Sequence, residues 1–381
     1  MQRVLLVLLV VAALPLLGRE GPPYSVAAQK KAQTLSAGTG TLYIGTYAGN
    51  ILMIDEATEK MVGEIKLKTG IPRSLSLSED RTKFLALDST LQQLEIVDIA
   101  SRTSVDSFTL SEVNKRVRIR GVALDPLARF AILLTRTATK LIDRWEIGPS
   151  TMLQYDLRAK KVIREIPWPK GEEREFMNVR FSPDGKLMYF FGDDVLIYDT
   201  TDFREVDTWE ISKPVEFGTG RLDFGSTDDF NEERGFFTGI FYMQDPVQKR
   251  RLMGIGRVNL AAKEIEFFTL GPAPQSRVSF ALAPDRRKGY GLLQEIGRYE
   301  FWTFDLAGKK VQSRVEFQGR PRMDVSVSSN GKLLYVWNAG NTIDLYEAAT
   351  YKYLRTITLD ADTTTRMFVF PSKGPSKTTD Q

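Results

Sequence analysis

Four carboxylates crowd into one short stretch, Asp228-Asp229 and Glu232-Glu233 in "GSTDDFNEERG". Oxygen ligands at that spacing suit a hard divalent cation such as calcium, but the preferred reading is a solvated acidic loop. A second group is basic. Arg73, Arg120, Arg180, Arg277 and Arg322 each stand near the start of a short apolar strand pattern. On a ring of strands these side chains could line the centre and hold an anion, although surface or inter-blade salt bridging is the expected use. The pair of carboxylates in "LDADTTT" from Leu359 reads as a linker.

The residue types that are missing narrow the chemistry further. The 381 residues contain neither Cys nor His. The chain therefore makes no disulfide, attaches no haem covalently, and offers no thiolate metal site or cysteine nucleophile. It also lacks the imidazole of a Ser-His-Asp triad, an HExxH site or a histidine-ligated haem or copper. No catalytic residue, bound cofactor or metal is expected on this chain. Lys and Arg number 52 against 48 Asp and Glu, for a net charge of +4. The basic residues are dispersed, so nucleic acid is not an expected partner.

The first residues, "MQRVLLVLLVVAALPLLGREGPPYSVAAQ", read as a secretory signal over residues 1–28: a basic start, an apolar run from Val4 to Leu17, and small residues for cleavage. An uncleaved anchor is the lesser alternative. No later segment has the length and apolarity of a membrane span, so the mature chain is expected in the periplasm or outside the cell.

Positioning falls to repeated strands. In "VRFSPDGKLMYFFGDDVLIYDTTDFREVDTWEI" from Val179, a strand enters the turn Ser182-Pro183-Asp184-Gly185 and three more strands follow. Pro presets one dihedral, Asp caps the turn and Gly accepts positive φ. Looser copies begin at Ser74, Gly121, Val278 and Asp324. The residues closing each third strand, Asp55, Asp98, Asp156, Asp199, Asn259, Asp305 and Glu347, lie 43, 58, 43, 60, 46 and 42 residues apart. Recurrence in every repeat marks them as turn-fixing rather than catalytic. A period in the forties made of four short strands predicts an all-β, seven-bladed β-propeller over residues 41–374, preceded by a linker (29–40) and followed by a tail (375–381). The first repeat, from Thr41, lacks a first strand, and "RMFVF" at Arg366 supplies one. The C-terminal strand is thus expected to close the ring.

The two long intervals place extra residues in "TRTATKLIDRWEIGPST" of blade three, and in "GSTDDFNEERG" and "QDPVQKRR" of blade five. Long loops on a rigid scaffold commonly carry binding. Trp145 and Ile147 in the first, and Lys249, Arg250 and Arg251 beside the second, are the candidate partner-binding residues, expected on one end of the ring.

The units "FSPDGKLMYFF...VLIYDTTDFREVDTWEI" and "SVSSNGKLLYVWNAGNTIDLYEAATYKYLRTITL" resemble YVTN-type propeller repeats. WD40 repeats fit poorly, because their Gly-His pair is impossible here. The blade order, the arm "TATKLIDRWEIGPSTMLQYDLRAKKVIREI", the irregular blade "GFFTGIFYMQDPVQKRRLMGIGRVNL" and the terminal "RMFVF" resemble the β subunit of quinohemoprotein amine dehydrogenase. That resemblance implies a non-catalytic subunit of an exported amine-oxidising complex, with the quinone cofactor and c-type haem on partner subunits. A stand-alone secreted propeller that binds a protein or small ligand, and a lactonase-type propeller enzyme, stay open as alternatives.

Overall fold

The computed structural model describes residues 35–213, 222–245, 247–320 and 322–372. The expected signal, the first part of the linker and the tail lie outside the described residues. The chain is all-β, with seven four-stranded antiparallel sheets. Blade one holds β1 (Thr41–Thr46), β2 (Asn50–Asp55) and β3 (Lys60–Lys66). Blade two holds β4 (Pro72–Leu77), β5 (Lys83–Asp88), β6 (Gln93–Asp98) and β7 (Thr103–Thr109). Blade three holds β8 (Lys115–Leu124), β9 (Phe130–Lys140), β10 (Trp145–Asp156) and β11 (Lys161–Ile166). Blade four holds β12 (Val179–Phe181), β13 (Leu187–Phe191), β14 (Val195–Asp199) and β15 (Glu205–Trp209). Blade five holds β16 (Asp223–Asp228), β17 (Phe236–Gln244), β18 (Arg251–Asn259) and β19 (Glu264–Pro272). Blade six holds β20 (Val278–Leu282), β21 (Lys288–Glu295), β22 (Arg298–Asp305) and β23 (Lys310–Glu316). Blade seven holds β24 (Asp324–Val327), β25 (Leu333–Trp337), β26 (Thr342–Glu347) and β27 (Tyr353–Thr358), and β28 (Thr363–Phe370) ends the chain's strands. Among the described residues no helix is long and apolar enough to cross a membrane.

Each repeat marker closes a third strand, and each fixes the turn that follows. Asp55, Asp98 and Asp305 accept the backbone N–H three residues ahead, and Asp199 that of Thr201. These bonds favour the ionised form and hold the Asp55, Asp98 and Asp199 carboxyls below the usual range. Four residues after every marker the backbone turns left-handed, at Glu59, Arg102, Lys160, Phe203, Lys263, Lys309 and Tyr351. A side-chain acceptor at the turn's start lets the turn tolerate an ordinary residue where glycine would be easier.

β28 pairs antiparallel with β1, with Thr41 opposite Phe370 and Ile44 opposite Met367, so the first blade holds both ends of the propeller. Each blade-to-blade boundary has its own apolar core. At the junction of blades seven and one, Tyr335, Trp337 and Leu345 pack against Leu42, Ile44, Met367 and Val369. Glu56 is buried there and accepts hydrogen bonds from Gly40 N, Ser329 N and the Tyr335 hydroxyl. The end of the expected linker is fixed rather than free: Ala37 is fully buried, and Asn330 Nδ2 donates to the Ser36 carbonyl.

Two elements depart from the repeat. The blade-three arm has three strands, because the first half of β8 runs beside it: Lys115 faces Thr139, and Trp145 faces Lys140. In blade five the tight turn after the first strand is replaced by a loop that crosses the ring. Phe230 reaches Phe370 at 5.0 Å and Phe368 at 6.0 Å in blade one. Arg81 of blade two donates to the Asp229 and Glu232 carbonyls, and Asn231 donates to Leu282 O of blade six. This loop is the acidic run, and the expectation of a solvated loop is corrected. Phe230 supplies an apolar side chain that packs across the centre, and the carboxylates find arginines there.

Candidate functional site

Alternation of antiparallel strands sorts the loops into two ends. The second-to-third-strand loops, including the arm and the β17–β18 turn, share one end, and the crossing loop lies at the other. On the arm, Trp145 is 48% exposed and Ile147 58% exposed, and Ile142 at the tip is fully exposed. Trp145 and Ile147 overhang a recess of about 670 Å³ walled by Arg116, Arg118, Arg120 and Arg136. Glu175 sits 3.7 Å from Arg120 and 3.6 Å from Arg136. Arg116 and Arg118 have no ion pair among the described residues. The recess is therefore cationic with an apolar lip.

The blade-five candidates stand on the same end but outside that recess. Lys249 holds a positive-φ turn position, Arg250 pairs with Asp245 at 3.5 Å, and Arg251 stacks over the Tyr242 ring at 3.8 Å. Two of the three charges are thus occupied within the blade.

The central channel opens on the arm side as a cavity of about 520 Å³. Arg73, from the start of β4, and Arg322, just before β24, line it together with Arg366 of β28. None of the three has an ion pair among the described residues. Asp324, Trp337 and Thr363 complete the wall, and the Trp337 indole donates to Thr365 O at 3.3 Å. Below lies a smaller chamber of about 170 Å³, shared by Asp228, Asp324, Phe230 and Arg366. The crossing loop forms its floor.

Carboxylates in the channel divide by partner. Asp324 touches the lumen but has protein on every side. Burial pushes its carboxyl up, and the Val325 N–H and the Arg366 charge offset this only in part. Asp228 is buried and accepts from Leu282 N and Phe230 N, both at 2.8 Å; burial again wins and raises it. For Asp229 and Glu232 burial also acts upward, but salt bridges outweigh it and hold both carboxyls low. Asp229 pairs with Arg180 at 2.6 Å; Glu232 pairs with Arg257 at 3.0 Å and accepts from the Thr238 hydroxyl at 2.6 Å. Among the described residues no group of three or more acidic side chains is arranged to hold a metal.

Of the five arginines the spacing singled out, Arg73 and Arg322 line the channel mouth, and Arg180 pairs inside it. Arg120 belongs to the arm recess, and Arg277 is exposed ahead of β20. Arg366 was missed. It sits in the closing strand between buried Thr365 and Met367, and period-two alternation there marks it as facing the lumen.

No family model matches the chain, and no curated protein matches it by sequence. Solved structures do match, at the level of fold. Dihydro-heme d1 dehydrogenase NirN in complex with DHE aligns with a TM-score of 0.54 at 9% identity, covering 87% of this chain and 75% of that one. A functionally unknown protein from Desulfotomaculum acetoxidans DSM 771 aligns at 0.52 and 12% identity, covering 88% and 99%. The periplasmic gluconolactonase PpgL of Pseudomonas aeruginosa aligns at 0.50 and 15% identity, covering 87% and 99%. These likenesses support the propeller and leave function to the chain's own surfaces.

Proposed function

We propose that this chain is a non-catalytic, exported propeller subunit that docks a partner protein on its arm side, as its resemblance to the β subunit of quinohemoprotein amine dehydrogenase implies. The observation that carries the reading is the arm: Trp145, Ile147 and Ile142 are held out beside a recess of four arginines, of which Arg120 and Arg136 share Glu175 while Arg116 and Arg118 have no ion pair among the described residues. Rigid strands cost a partner little ordering entropy, and Trp and Arg are the residues that most often anchor interfaces. The arginines select a partner segment that pairs acidic side chains with an apolar anchor. In this assignment the quinone and the c-type haem belong to the partner subunits.

The test is affinity purification of the intact chain from its native host, read by the haem absorbance of the eluate. Intact protein should bring down a haem-bearing partner. Trp145→Ala should weaken that complex by roughly 2 kcal/mol if the ring is central to the interface. An eluate without haem from the intact chain would remove the amine dehydrogenase-like assignment, and equal recovery by both forms would remove the arm from the interface.

A further inference from the structure

We infer that the arm-side mouth of the channel binds a small hydroxylated organic anion through Arg73, Arg322 and Arg366. Three guanidinium groups from blades two, seven and one face a single cavity of about 520 Å³. Like charges gathered in one cavity repel; among the described residues none of the three makes an ion pair, and the Asp228, Asp229 and Asp324 carboxyls act on Arg366 alone, leaving Arg73 and Arg322 without a counter-charge. Toward the closed end, by contrast, Arg180 of the inner strand β12 is paired with Asp229. An anion in the mouth supplies the missing counter-charge, through forked N–H donors suited to carboxylate or phosphate oxygens.

Other walls set the remaining chemistry. Asp324 lies at the junction of mouth and chamber, Ser89 stands at the rim, and Thr364 in the wall carries a hydroxyl with no hydrogen-bond partner in the protein. A carboxyl and two hydroxyls match the hydroxyl groups of a ligand rather than an apolar body. The volume falls in the range of small-molecule sites. Phe230 and the crossing loop block the far end, so a polymer cannot thread through and the ligand enters and leaves by the mouth.

This site is separate from the docking arm, and its test reads binding by the isolated chain. Purified full-length protein is titrated calorimetrically with gluconate, glucose 6-phosphate and glucose. At least one of the two anions should bind, and glucose, which has the hydroxyls without the charge, should not. Binding of gluconate alone assigns a carboxylate, and binding of glucose 6-phosphate alone assigns a phosphate. Arg73→Ala and Arg322→Ala should each weaken binding by about tenfold or more, with lysine at either position restoring part of it. Rising chloride should weaken binding to wild-type protein, which keeps the test valid if a variant misfolds. No heat with either anion, equal binding of glucose, or unchanged binding in the double alanine variant would overturn the site. Failure here leaves the haem co-purification result untouched.

Discussion

The two ends of the channel are built from the same strands and finished in opposite ways. At the arm side Arg73, Arg322 and Arg366 line the lumen with no ion pair among the described residues, and the lumen stays open. At the far side the blade-five loop folds inward, its carboxylates meet Arg180, Arg257 and Arg286, and Phe230 fills the centre. Satisfied charge and a buried ring make a closed end, whereas unsatisfied charge around a cavity makes a receptive one. A propeller with one blocked end leaves its channel open at one face only.

The wall common to both ends is β28, and removing it should have the largest effect. Deleting Arg366–Gln381 strips Met367 and Val369 from the junction of blades seven and one and Phe368 from that of blades one and two, and breaks their ladder with β1. Three buried apolar side chains and several hydrogen bonds amount to on the order of 8 kcal/mol, comparable to the whole stability of a domain. Circular dichroism should show no cooperative melt, or aggregation, in the truncated protein. A melting temperature equal to that of the full chain would refute the closure.

Next in size is the plug. Phe230→Ala removes the ring that bridges blades five and one while leaving all seven blades paired. Because Phe230 is only partly buried, the cost should fall below that of a core phenylalanine, at about 2 kcal/mol. Urea denaturation should show a lower midpoint with an unchanged slope. The channel would then be open at both ends, so anion binding at the mouth should persist with faster exchange.

The blades were legible in the sequence because each turn carries its own chemistry. The seven marker residues all close third strands, since an acceptor three residues before a turn N–H acts locally. The destination of the acidic run was not legible. Nothing within "GSTDDFNEERG" indicates that Phe230 will meet Phe370 across the ring, because that contact joins residues far apart in the chain. Arg366 shows the intermediate case: alternation in β28 marks its direction, but only the closed ring shows that Arg73 and Arg322 share its cavity.

A smaller effect should separate the ends by pH. Glu232→Gln removes the Arg257 partner at 3.0 Å and leaves it only Glu233 at 3.9 Å, and should cost about 1 kcal/mol at neutral pH. The folded Glu232 carboxyl titrates below its ordinary value of 4.5, so its stabilisation is present above that pH and is lost as pH falls through the lowered value. The gap between wild type and Glu232→Gln should therefore narrow as pH falls below 4.5 and close once pH has passed the lowered value. A gap that stays constant down to pH 3 would mean that the salt bridge is not what Glu232 contributes.

Asp324 should respond with the opposite sign and the smallest size. Burial raises its folded carboxyl above the ordinary 3.8, so the folded state takes up the proton more readily than the unfolded chain. Its ionised form costs stability above the raised value, and that cost disappears as pH falls through the raised value toward 3.8. Asp324→Asn removes the charge without changing the shape, and no salt bridge is lost with it. The variant should be more stable than wild type at pH 8 by about 0.5–1 kcal/mol, and the gap should close as pH falls below 3.8. Thermal melts across that range would check it. If Asp324→Asn is instead less stable at pH 8, the Asp324 charge is offsetting Arg366 and its neighbours. The mouth would then be nearer to internal neutrality than three unpaired guanidinium groups require, and the contrast between its two ends would shrink.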